Sequence, residues 1–166
     1  RLLATVLDEN EFLGPFGLRS LSLRHRDQPF QLEVNGHTYR VDYAPGESDS
    51  GLFGGNSNWR GPVWMPVNFL LIESLRKYHT YYGDDLTAEF PTGSGRRLNL
   101  AQIADELTKR LTSLFLPGPD GTRPCDGGRD GDPLLFHEYF HAETGRGLGA
   151  SHQTGWTACI ADLLQR

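Results

Sequence analysis

Cysteines, basic clusters and long apolar runs are scarce in this sequence, and each scarcity excludes something. Two cysteines in 166 residues, Cys125 and Cys159, are too few for a disulfide framework. A reducing compartment, the cytoplasm, is therefore the expected setting. No apolar stretch approaches the roughly 18 residues needed to cross a bilayer, and the first residues lack the basic-then-apolar pattern of a secretory leader, so no membrane association is expected. Sixteen Lys and Arg face twenty-one Asp and Glu, for a net charge of −5. Because the cations are scattered and never massed, no nucleic-acid partner is expected. There is no GxSxG elbow and no Walker loop, which leaves acyl and phosphoryl transfer without a motif. What remains is a globular composition, with 37% hydrophobic and 22% charged residues. Arg1 stands where a start Met is usual, and Leu2, Leu3, Val6 and Leu7 read as the tail of an earlier helix, which suggests a piece of a larger domain.

Periodicity predicts a mainly α chain. After Pro62, apolar residues Trp64, Val67, Leu71, Leu75, Tyr78 and Tyr82 recur at spacings of three and four, predicting a helix over 62–82. A second helix is predicted over 99–116, opened by Asn99 and Gln102 as a capping box and carrying Leu100, Ile103, Leu107, Leu111 and Leu114 on one face. Asp132 and Pro133 read as the cap of a shorter helix running to His141, and a last helix is predicted over 154–165. The one clear strand signal is a hairpin over 31–43 about Asn35-Gly36. Three glycine-rich loops, 45–61, 117–132 and 144–155, are long for a compact domain and point to function.

His137-Glu138-Tyr139-Phe140-His141 fits HExxH, which on a helix would set two imidazoles on one face to hold zinc. The third ligand is misplaced: Gly145 falls one position late for a metzincin, and His152 lies beyond a glycine-rich break. A zinc hydrolase remains the alternative from another class, but no metal or other cofactor is expected. Gly145-Arg146-Gly147-Leu148-Gly149-Ala150 matches a dinucleotide fingerprint only in its letters, because no βαβ unit surrounds it. Carboxylates and aromatics are left. Glu47, Asp49, Glu138 and Glu143 lie in or beside the long loops, as do Trp59, Trp64 and Trp156, a mixture that suits the apolar faces and hydroxyl rims of sugars.

The segment Asn56-Ser57-Asn58-Trp59-Arg60-Gly61-Pro62-Val63-Trp64 resembles the WRGP-x-W stretch of glycoside hydrolase family 63, which includes processing α-glucosidases. A second match follows in order, from Glu138-Tyr139-Phe140 through Thr144-Gly145 to Thr154-Gly155-Trp156. The resemblance implies a six-hairpin (α/α) barrel, of which residues 1–166 would be a C-terminal portion, with the hairpin as a small insertion. It also implies hydrolysis of an α-glycosidic bond with inversion, which needs two carboxyl groups about 6.5–9.5 Å apart. Glu138 would be the general base, and Asn58, Trp59, Arg60, Trp64, His137, Gly155 and Trp156 would line the sugar site. The family's acid lies upstream of WRGP, so the partner implied is the preceding part of the same barrel or a second copy of the chain. His137 and His141 stand where the family often has asparagine or an aromatic, which leaves the sugar open. A carbohydrate-binding remnant without turnover is a third reading.

Overall fold

A computed structural model describes residues 1–51, 57–127, 133–152 and 155–165. Two helices dominate it. α2 (Met65–Tyr82) and α3 (Leu100–Thr112) pack together, and α1 (Leu2–Val6) and α4 (Ile160–Leu164) are single short turns. Four two-stranded antiparallel hairpins surround the pair among the described residues: β1 (Leu13–Gly14) with β2 (Gly17–Leu18), β3 (Phe30–Val34) with β4 (His37–Val41), β5 (Thr87–Glu89) with β6 (Arg97–Asn99), and β7 (Tyr139–Phe140) with β8 (Gly147–Leu148). The chain is thus a helical unit dressed with small hairpins.

α3 forms as its sequence predicts. The Asn99 side chain accepts from the Gln102 amide at 2.8 Å while the Gln102 side chain accepts from the Asn99 amide at 3.0 Å, satisfying two of the helix's free donors. Leu100, Ile103, Leu107, Leu111 and, beyond its last turn, Leu114 are all buried, each contributing about 1.5–3 kcal/mol by leaving water. The helix ends at Thr112, short of the expected Leu116, because residues 113–115 turn so that Leu114 O accepts from the Cys125 amide. The hairpin about Asn35-Gly36 is also present, with both turn residues at positive φ, as a two-residue connection between right-twisted strands requires.

α2 departs from expectation at both its start and its face. It begins at Met65, three residues late, because Val63 is extended and exchanges both backbone hydrogen bonds with Phe140, each 2.9 Å. Its buried residues are Met65, Asn68, Ile72 and Leu75, one step round from the predicted stripe. Val67, Tyr78 and Tyr82 are exposed, with Leu70 and Tyr81 beside them. Asn68 is the polar member of the buried face, and it is fully used: its side chain accepts from Leu18 N at 2.7 Å and donates to Leu18 O and Trp64 O. The predicted fold of residues 133–141 is corrected outright. Asp132 lies outside the described residues, and the segment after it is extended, not helical. Val63 and Ala150 take the backbone groups of Phe140 and Glu138, so those groups close ladders across the chain and make no helical turn. Of the last predicted helix, Thr154 lies outside the described residues, residues 157–159 form a tight 3₁₀ turn, and α4 follows.

Candidate active site

Val63 joins β7 to the segment that opens α2, and this one bridge brings the two sequence motifs together. Trp59 lies flat on Trp64, with ring centroids 3.8 Å apart and planes 6° from parallel. Trp64 in turn stacks on Tyr139 at 4.9 Å and meets the edge of Trp156 at 6.0 Å. Trp64 and Tyr139 are sealed, whereas Trp59 is 41% exposed and presents its outer face to solvent. The indole N–H groups lock this wall to the backbone: Trp64 Nε1 donates to Asn58 O at 2.9 Å, and Trp156 Nε1 donates to Glu138 O at 3.1 Å.

Glu138 precedes Tyr139 on this wall and is partly exposed. Its Oε1 accepts from the Ser57 hydroxyl, and its Oε2 accepts from the Ala150 amide at 3.3 Å. Space for the carboxylate depends on Gly149, where an added Cβ would stand 2.7 Å from Glu138 Oε2 and 2.8 Å from the Tyr139 ring. Burial raises the Tyr139 phenol, and the carboxylates of Glu47 and Glu138 add to the rise. Ser57, Tyr139 and Gly149 lie within the segments quoted from sequence but are not among the site residues expected there. The glycines at 147 and 149 were the available signal: Gly147 leaves room for the His137 ring, and Gly149, at φ +66° just past β8, leaves room for the Glu138 carboxylate.

The remaining residues named from sequence fall into two groups. Asn58 and Arg60 are buried. Asn58 Nδ2 donates to Ala44 O at 2.8 Å and Gly46 O at 2.7 Å, and its Oδ1 accepts from the Arg60 amide. The Arg60 guanidinium donates to Asp42 at 2.6 Å and to Asp49, whose carboxyl this hydrogen bond and charge hold below its usual range. His137 is buried as well; its carbonyl accepts from the Thr157 hydroxyl at 2.6 Å, and its ring lies against Gly147. Gly155 is exposed, with no atom of the described residues within 4 Å of where a Cβ would sit. Trp59, Trp64, Trp156 and Glu138 are therefore brought together in one cluster, while Asn58, Arg60 and His137 are buried.

The helix that HExxH chemistry requires is missing. His137 and His141 lie on either side of β7, and His141 Nδ1 accepts from the amides of Glu143 and Thr144 at 3.2 and 3.3 Å, which occupies one of its two ring nitrogens. Burial, reinforced by the charge of Arg146, pushes the His141 imidazole below its usual pKa and keeps that nitrogen an acceptor. Among the described residues no group of three or more His, Cys, Asp or Glu is arranged to hold a metal ion.

Glu143 has a different use. Arg19 donates to it at 3.1 Å and the Tyr43 hydroxyl at 2.6 Å. Burial works to raise the Glu143 carboxyl, but these hydrogen bonds outweigh it and the net shift is downward. A carboxyl lowered in the folded state adds stability that is complete above its ordinary value of 4.5 and is lost as pH falls through the lowered native value. Glu143→Gln is therefore expected to be less stable than the wild type at neutral pH, with the gap closing in acid. Urea unfolding at pH 7 and near pH 3 measures this, and a gap that stayed constant across that range would refute it.

A cleft of about 620 Å³, bounded by Phe16, Leu116, Arg123, Pro124 and Arg146, touches neither Glu138 nor any tryptophan. No helix among the described residues is long and apolar enough to cross a membrane.

Residues 1–157 match the model of the mannosylglycerate hydrolase MGH1-like glycoside hydrolase domain. The uncharacterized protein YMR196W of Saccharomyces cerevisiae is 52% identical over 96% of this chain and 16% of its own length. A probable mannosyl-oligosaccharide glucosidase of Schizosaccharomyces pombe is 27% identical over 98% of this chain and 15% of its own length. The mannosyl-oligosaccharide glucosidase of S. cerevisiae is 28% identical over 69% of this chain and 12% of its own length. The chain thus spans under a fifth of each of these relatives. With the WRGP-x-W and Glu-Tyr-Phe motifs on one aromatic wall and the match running through both, the chain belongs to the MGH1-like glycoside hydrolase domain family, as the resemblance to glycoside hydrolase family 63 implied.

Proposed function

We propose that this chain supplies one wall and the general base of an α-glycosidase that hydrolyses a glucoside or related sugar with inversion. The observation that carries the reading is Glu138 held by Ser57 and Ala150 N at the edge of the Trp59–Trp64–Tyr139 stack. A general base must reach a water beside the anomeric carbon, and an exposed indole is the surface on which a sugar ring settles by its apolar face. Trp59 carries the ring, Trp156 borders it, and Trp64 backs Trp59. Asn58, Arg60 and His137 act from beneath as supports of the wall. The general acid comes from an upstream part of the same polypeptide, and residues 1–166 form one portion of its (α/α) barrel. The exposed α2 residues Leu70, Tyr78 and Tyr81 are the surface that such neighbouring helices cover. The free Cys125 and Cys159 suit the cytoplasm.

Inversion is decided by the product. The full-length protein acting on p-nitrophenyl α-glucoside is expected to release the β-anomer first, followed by proton NMR before mutarotation. Initial release of the α-anomer would overturn the mechanism, and binding of the glucoside without turnover would favour a non-catalytic sugar-binding role.

A further inference from the structure

We propose that Glu47 is a second substrate-contacting carboxylate, accepting hydrogen bonds from hydroxyls of the sugar seated on Trp59 and so deciding which sugar the site accepts. This rests on the reading of Glu138 and its aromatic wall as the glycoside site.

Glu138 is held by Ser57 and Ala150 N, Asp49 by Arg60, and Glu143 by Arg19 and Tyr43. Glu47 is exposed and makes no hydrogen bond or ion pair with another described residue. Its backbone, by contrast, is fixed. Pro45 O accepts from the Ala142 amide at 3.0 Å, and Gly46 O accepts from Asn58 Nδ2 at 2.7 Å. Gly46 also lies against the His141 ring, where an added Cβ would be 3.0 Å away. Glu47 therefore follows two carbonyls that are held in place, Gly46 O by Asn58, the residue before Trp59, and Pro45 O by Ala142, two residues past β7. The charge of its carboxylate also reaches the buried Tyr139 phenol behind the stack.

A carboxylate with no hydrogen-bond or ion-pair partner among the described residues, on a loop whose carbonyl is held by the residue before an exposed indole, suits sugar hydroxyls. Carboxylate oxygens accept from O–H donors with charge-assisted strength, and a fixed backbone lowers the entropy cost of ordering the group. A neutral polyol gains from this arrangement, whereas an anionic aglycone brought against Glu47 and Glu138 would be repelled.

The test uses the full-length enzyme, p-nitrophenyl α-glucoside and its four monodeoxy analogues, with Glu47→Ala and Glu138→Gln compared against the wild type. Glu47→Ala is expected to unfold at the wild-type temperature, to lower kcat/KM on the glucoside about 10–100-fold with most of the change in KM, and to leave kcat within about threefold. One monodeoxy analogue should lose a similar factor with the wild type and nothing further with Glu47→Ala, a non-additivity that a purely structural role does not produce. Glu47→Ala within twofold of wild type on every substrate, beside an inactive Glu138→Gln, would overturn the Glu47 proposal alone. Full activity in Glu138→Gln would remove the site reading, and the Glu47 proposal with it.

Discussion

Glu138→Gln in the full-length protein is expected to lower kcat about 10²–10⁴-fold while sugar affinity stays within a few-fold, the signature of a lost general base. The amide is nearly isosteric, so the Ser57 hydroxyl can still donate to its oxygen and the Trp59 face is untouched. What goes is the proton acceptance that turns water into a nucleophile. Glu143→Gln serves as the internal control, because its carboxylate faces Arg19 and Tyr43, not the indoles. Its effect should fall on stability, with kcat changing only a few-fold. Initial rates and quenching of tryptophan fluorescence by bound glucoside separate the two outcomes. Near wild-type turnover in Glu138→Gln would sink the assignment of the base.

How much of this was legible in the sequence depended on whether a signal was local. α3 was readable because cap, stripe and stop all lie within its own residues, and the 35–36 turn was readable for the same reason. The residues before α2 and those of β7 were misread together, and for one cause. Each looks helical alone, by a first-turn proline and by Asp132-Pro133, yet each is extended because it is the other's hydrogen-bond partner. A pairing between distant segments leaves no periodic trace in either. The same holds for the site. Glu138 and the three tryptophans stood out as residue types that sugar chemistry needs. Asn58, Arg60 and His137 are polar as well but buried, and nothing in their local sequence shows that burial. Ser57, an unremarkable residue in a glycine-rich loop, shows its relation to Glu138 only once the chain is folded.

Gly147→Ala is expected to be among the most damaging small substitutions in the chain, destabilising it by about 1–3 kcal/mol by overpacking against the buried His137 ring and lowering turnover as well. The Cβ would stand 2.0 Å from His137 Cδ2 and 2.3 Å from its Cγ, so the imidazole or the β8 backbone must move. Neither moves freely. β8 is paired with β7 through Tyr139–Leu148 and Phe140–Gly147, and the His137 carbonyl is tied to the Thr157 hydroxyl. Whatever shift relieves the overlap passes directly to Glu138, the next residue, and to the Ala150 carbonyl and amide that hold it. Gly155→Ala, exposed and with no described atom near its Cβ, should change stability by no more than about 0.5 kcal/mol in the same assay. The cause is tested by a second substitution: if the clash with the imidazole is responsible, His137→Ala in the Gly147→Ala background should recover part of the lost stability, a coupling that two unrelated defects do not show. Denaturant midpoints of the single and double variants decide it, and strict additivity would mean that the imidazole is not what Gly147 makes room for.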